Sequence, residues 1–538
     1  MNRFNTLSVA SFLIASFAPA SPLFAQCQTA KLTGEPLEAY AQYGRSVAIS
    51  GNRIVVGSIY QDAPGAHDSG AAYVYELSGG VWSLQGTLFA HDAADFDEFG
   101  VSVAIDGDTI VVGADAVDGP LSGAVGAAYF FHWNGSQWIE TQKVQASDGA
   151  PGGFFGCAVT LEGDTAVIGR FWDSATGSIH AGSAYVFTRN AGTWIESQKL
   201  AGSNPHREDD FGYALALSGN RIVVGAPERF SDGPADIQLG KAYVFERNGT
   251  TWAQSALLLP TNPQAYDQFG ISVDIDGDEL VVGAWQELFS DMFGGDGEAY
   301  IFDWNGSAWN QSEILVGSDP HHNDEFGGAV SIQGSNLVVG AASHDAYPLW
   351  GAVYTFAKSV GSWTETSLFL PQPNSSLSWL GNAVALDGNH AVSGAYIETY
   401  GVYQSGTAYV FGGFAPWTDE GFALAGTSGD PVLAGTGSLC DGTFSSLLVS
   451  NARPHARVVL ISGNSATYTP FHGGTLVPAP QRIRRGLATD ASGSVAIDGV
   501  WPPNGLPAGS TLFFQVWIRD PAGPQGWAAT NALSGVAP

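Results

Sequence analysis

One phrase, written seven times, limits the folds open to this chain more than any other feature. In its clearest copy it reads Phe99-Gly100-Val-Ser-Val-Ala-Ile-Asp-Gly-Asp-Thr-Ile-Val-Val-Gly113-Ala114. Copies open at Tyr43, Phe99, Phe155, Phe211, Phe269, Phe326 and Leu380, spaced 56, 56, 56, 58, 57 and 54 residues apart. A fixed period a little above 50 with strand-like content marks a propeller or an array.

Within the copy at Phe99, Val101, Val103 and Ile105 alternate with Ser102 and Ala104, the period of two that makes a strand. Asp106-Gly107-Asp108 turns the chain, since Asp-Gly between apolar runs is a strong hairpin signal. Ile110-Val111-Val112 is the second strand, Ala127 to Phe131 the third, and Trp138 to Val144 the fourth. Four antiparallel strands per period is the content of one propeller blade.

Six copies carry a fourth strand, but after Phe411 the seventh does not. Each complete copy places an apolar residue 11 positions before the next opening residue, as Leu88 stands before Phe99 and Leu200 before Phe211. Counting back 11 from Tyr43 reaches Leu32, in Thr29-Ala-Lys-Leu32, which is similar to Ser197-Gln-Lys-Leu200. The expectation is therefore an all-β chain with a seven-bladed propeller of four-stranded blades over residues 26–413. The N-terminal strand closes the ring and removes an open edge.

The paired phrases, as in Phe211-Gly212 with Gly225-Ala226-Pro227, resemble the FG-GAP repeats of the integrin α-subunit head, and more closely the shorter bacterial form. The resemblance implies extracellular recognition or adhesion without specifying a ligand. Integrin-type repeats carry a calcium loop of the D-x-D-x-D-G type between the two phrases. Here that interval is only Asp106-Gly-Asp108 or Asp276-Gly-Asp278, too short to supply the six to eight oxygens calcium requires. Calcium binding of the family type is not carried over, and no cofactor or metal site is expected.

Export is expected from the first residues. Arg3 precedes an uncharged run from Leu7 to Ala20, with small-residue cleavage sites after Ala20 and Ala25, so residues 1–25 read as a signal peptide. The run is too short to span a membrane, and no transmembrane segment is expected after its removal. Lys and Arg number 20 against 51 Asp and Glu, a net charge of −31 that argues against nucleic acid as a partner. Three cysteines are too few for a disulfide scaffold. Cys157 reads as a buried thiol, and Cys27 and Cys440 are paired only because ring closure would bring Cys27 near the next domain.

Strand parity sorts the loops. The 1–2 and 3–4 hairpins share one face, while the 2–3 loops and the connections between blades share the other, where recognition is expected. That face is acidic. Asp97, Asp209, Asp267 and Asp324 each stand two residues before their opening Phe, and the 2–3 loops add Asp115, Asp118, Asp232 and Asp291. One reading is a rim that attracts cations or basic partners; the plainer one is that these carboxylates solvate turns and cap backbone N–H groups. His321-His322-Asn-Asp324-Glu325 has metal-capable atoms, but neighbours on an extended segment point to opposite sides. Ser46 sits in a phrase like a nucleophile elbow, yet recurs at Ser102 and Ser272 as part of the repeat.

Residues 414–538 lose the repeat and read as a small β-sandwich, with strands at 445–449, 457–461, 493–497 and 511–518. This module is a candidate for surface attachment. The function expected is a secreted or cell-surface binding protein, without catalysis, whose long-loop face recognises an extracellular protein or polysaccharide. The alternatives are a polysaccharide-active hydrolase or lyase and a structural envelope component.

Overall fold

The computed structural model describes residues 27–117, 123–174, 178–228, 239–264, 266–285, 295–321, 323–344, 350–359, 361–371, 377–412, 417–436, 446–499 and 510–536. Among them the chain is all-β, with a single three-residue 3-10 turn at Pro524–Gly526. Seven four-stranded antiparallel sheets fill residues 27–412. The first contains Tyr43–Ser50, Arg53–Ser58, Ala71–Ser78 and Val81–Leu88, and the next five repeat this up-and-down order. The seventh holds Val384–Asp387, His390–Ala395 and Thr407–Gly412, with Cys27–Leu32 as its fourth member. Repeated sheets of this kind are the content of a β-propeller.

The two halves of the repeated phrase meet across each seam between sheets. Gly100 lies at φ +98°, and its carbonyl oxygen passes so close to Gly57 that a Cβ there would sit 2.0 Å away. Ser46 Oγ donates to the same carbonyl at 2.8 Å, and Ser102 Oγ repeats the bond to Gly156 at 2.7 Å. Ser46 is thus a seam residue rather than a nucleophile. The opening Phe is buried beside the third strand of its own sheet: the Phe99 ring lies 5.4 Å from Tyr129 and 6.0 Å from Phe131, both edge-on. Phe155, Phe211, Phe269 and Phe326 repeat this arrangement.

Cys27–Leu32 takes the register of a fourth strand. Leu32 pairs with Ala408 as Leu88 pairs with Ala72 and Leu200 with Ala184. Lys31 Nζ reaches Glu398 at 2.8 Å beside Tyr409, as Lys143 reaches Asp92 beside Tyr129. Tyr43 bridges Gly406 in parallel, matching Phe99 with Gly70 and five further seams.

On the hairpin side, the last residue of each first strand accepts from the turn glycine of the next sheet. Asp106 Oδ2 binds the Gly163 amide at 2.7 Å and Asp276 Oδ2 the Gly334 amide at 2.6 Å. Asp387 binds the amide of Gly51, joining the seventh sheet to the first.

Residues 417–536 form a second body of strands. Trp417–Gly421, Ala532–Val536, Thr511–Arg519, Arg457–Gly463 and Arg482–Ala488 make one sheet in that order. Val432–Thr436, Ser446–Ser450 and Val495–Asp498 make another, and Leu447, Val449 and Ile497 share a core with Val458, Val516 and Ile518.

Candidate functional site at the mouth of the central cavity

The first strands of all seven sheets line one cavity, contributing Val47, Val103, Val159, Leu215, Val273, Val330 and Val384. Its mouth, of about 440 Å³, opens where the first strands begin and the 2–3 loops leave, which is the long-loop face. The residue two after each opening position lines it: Arg45, Val101, Cys157, Tyr213, Ile271, Gly328 and Asn382. Here the repeats disagree completely, while the glycine just before is the same in all seven.

Backbone strain surrounds the same mouth. The residue immediately before each opening position is left-handed in all seven copies: Gln42, Glu98, Phe154, Asp210, Gln268, Glu325 and Trp379 have φ between 49° and 58°. None is glycine, so each carries a side chain in a region that side chains disfavour. In several sheets this residue meets the one that opens its own 2–3 loop. Phe154 stacks on Phe171 at 5.5 Å, Trp379 lies edge-on to Tyr396 at 5.2 Å, and Gln268 Oε1 accepts from Trp285 Nε1 at 2.8 Å.

In the second sheet the corresponding pair consists of two carboxyls, Glu98 and Asp115. Burial, and next the charge of Glu98, push Asp115 up to about 7, against the opposing pull of Arg45. Glu98 is also raised by burial and accepts from Tyr60 Oη at 3.3 Å. Asp115 is 8% exposed, and its Oδ1 has no hydrogen-bond partner among the described residues. Near pH 7 this pair presents one carboxyl able to donate and another able to accept. The third and fourth sheets supply an aromatic wall, Phe171 lying 5.7 Å from Tyr213; Phe171 also meets Trp172 at 5.8 Å, and Trp172 stacks on His180 at 4.7 Å. Cys157, also in the wall, is held as a thiol by burial.

The structure places the sequence-derived acidic residues differently from a displayed rim. Asp97, Asp209, Asp267 and Asp324 are all buried, at 5% exposure or less. Each accepts the amide of the residue three positions earlier, as Asp97 does from Ala94 at 2.8 Å and Asp209 from His206 at 2.6 Å. They cap the connections between sheets, which corrects the expectation of a surface rim built on them. Asp115 alone of the described set faces the cavity. Asp118, Asp232, Asp291 and Cys440 lie outside the described residues, as does the side chain of Cys27, so the Cys27–Cys440 pairing does too.

Sequence reading missed Arg45, Tyr60, Glu98, Phe171, Trp172 and Tyr213. The available signal was the contrast between repeats: a position that varies freely between an invariant glycine and a Ser or Ala is released from packing and open to recognition. On the hairpin side the same channel ends between Ile49, Ile105 and Asp276, with Asp274 held near 6 chiefly by burial. A separate recess of about 600 Å³ at Thr109, Asp164 and Arg189 is occupied by its own ion pair, Arg189 to Asp164 at 2.6 Å.

A family model described as FG-GAP repeat matches residues 27–75, 82–131, 138–187, 194–245, 252–302 and 309–356, more than half of the chain. Its first match begins on the strand at Cys27 and the others on fourth strands at Trp82, Trp138, Trp194, Trp252 and Trp309. No curated protein matches the chain. Among the described residues no helix is long and apolar enough to cross a membrane.

Proposed function

Because the chain belongs to the FG-GAP repeat family, we propose that it is a secreted or cell-surface binding protein whose long-loop face takes a protein or polysaccharide ligand, anchored at the axial mouth. On this reading the seven sheets are seven blades of one closed ring, and the N-terminal strand completes the seventh. The equivalent registers of Leu32 and Leu88, and the family model's alignment of Cys27 with the fourth strands, support that closure. Closure gathers residues from different blades at one point on the axis.

The observation that carries the proposal is the make-up of the mouth. Aromatic faces at Phe171 and Tyr213 stand with Arg45, Glu98 and an Asp115 that burial keeps partly protonated near pH 7. Flat apolar surface beside a few converging polar groups is the composition of a binding site. A panel of soluble polysaccharides and extracellular proteins, titrated against the mature chain, tests it. Phe171→Ala is expected to weaken the ligand found by about tenfold, or about 1.4 kcal/mol. Unchanged affinity in Phe171→Ala and Asp115→Asn alike would move recognition elsewhere.

A second reading rests on the Glu98–Asp115 pair. A protonated and an ionised carboxyl in one cavity are the elements of acid–base cleavage of a glycosidic bond. Release of reducing ends from a bound polysaccharide, lost in Glu98→Gln, would favour an enzyme over a binding protein.

A further inference from the structure

The seam before the fourth sheet and the seam before the sixth are built alike but balanced differently. At the first, Asp209 is buried, caps the His206 amide through Oδ2, and receives the Lys241 ammonium on Oδ1 at 2.6 Å. At the second, Asp324 is equally buried and caps the His321 amide through Oδ2 at 2.6 Å. The position equivalent to Lys241 there is Ala352: each opens its third strand opposite the alanine that ends the second. Asp324 Oδ1 consequently has no hydrogen-bond partner among the described residues, although the side chain is only 2% exposed. A buried carboxylate with one oxygen unmatched calls for a compensating positive charge.

Two imidazoles gather where the ammonium is missing. His344, buried on the 2–3 loop, places Nδ1 2.9 Å from Asp324 Oδ2, and the His321 ring lies 5.0 Å from that of His344. Asp319, His321 and His344 each offer one ligand atom, all within 4.8 Å of one another. A histidine whose Nδ1 is held by a carboxylate is oriented to ligate through Nε2, and the carboxylate makes that nitrogen more basic. Two nitrogens and one carboxylate oxygen suit a zinc-like divalent ion rather than calcium.

We infer that Asp319, His321 and His344 bind a divalent transition-metal ion, with Asp324 as the orienting carboxylate. The ion ties the connection before the sixth sheet to that sheet's 2–3 loop, supplying the charge that Lys241 supplies two sheets earlier. The inference is independent of what the axial mouth recognises.

The test is calorimetric titration of the full mature chain, stripped with chelator, with zinc chloride at neutral pH and 0.15 M salt, calcium chloride serving as comparison. One equivalent of zinc is expected to bind with micromolar or tighter affinity and to raise Tm, with no equivalent step for calcium. His321→Ala, on an exposed side chain that leaves the core intact, should weaken zinc at least tenfold. Ala352→Lys should place an ammonium on Asp324 and abolish the site while the chain stays folded. If Ala352→Lys does not fold, Asp319→Asn takes its place and should also weaken zinc. Absence of a stoichiometric zinc step, or a step that survives these substitutions, would overturn the assignment and leave His344 and Asp324 as an ordinary ion pair.

Discussion

At the scale of single residues, what matters is which side chains the repeat has committed to its seams and which it has left over. Gly100 is committed. Its φ of +98° and the 2.5 Å that would separate a Cβ from the Ala71 carbonyl leave no room for alanine. Gly100→Ala should destabilise the chain by about 3 kcal/mol or more in urea unfolding. Asp115 is left over. Its folded value of about 7 lies above its ordinary value of 3.8, so the native state keeps a proton that the unfolded chain has already released between those values. Stability should therefore fall as pH rises from about 4 to 7 and level off above. Asp115→Asn should remove most of that slope and gain about 3 kcal/mol at pH 8 relative to its effect at pH 4.5. Unfolding curves at the two pH values measure it. The capping aspartates could not be told from displayed ones in the sequence. Asp97 two residues before Phe99 is compatible with either, and only the bond to the Ala94 amide decides. His344 was invisible for another reason: it stands twenty residues from Asp324, and only the hairpin of the sixth sheet brings them to 2.9 Å.

At the scale of elements, the strands and their order were legible because burial is periodic. Ile110, Val111 and Val112 are all fully buried in a central strand, whereas the outer strand Trp138–Val144 alternates, and the sequence carries both patterns openly. The pairing of Cys27–Leu32 was legible too, through a fixed offset of 11 residues and a shared Lys-Leu. That strand joins chain positions almost 380 residues apart, so its contribution is open to a direct comparison. Leu32→Ala and Leu88→Ala remove the same side chain from equivalent registers, each 5% exposed. Both should cost about 3 kcal/mol. A full cost at Leu88 with none at Leu32 would mean that the N-terminal strand is not an integral part of the seventh sheet. The 2–3 loops were legible only as loops. Their lengths follow from the spacing of turn signals, but the meeting of Phe154 with Phe171, or of Trp379 with Tyr396, depends on left-handed residues at the seams that no local preference announces.

At the scale of the whole molecule, the first strands of seven closely similar sheets line one cavity, and the residues at its mouth differ from sheet to sheet. Each sheet contributes one residue beside its opening position, and no two of the seven are alike. The chain carries a net charge of −31, and many of its carboxylates are consumed by amide caps and lysine pairs such as Lys199 with Asp148 and Asp173. Salt should therefore alter association rates with a basic partner more than it alters a contact made at the aromatic wall. Where the ligand sits distinguishes the axial mouth from every other surface. Hydrogen exchange of the chain, with and without the tightest ligand from the panel, locates it. Added protection is expected in peptides covering residues 96–101, 171–174 and 210–213, with none at the hairpins 106–109 and 163–165. Protection confined to those hairpins, or to residues 417–536, would contradict recognition at the axial mouth.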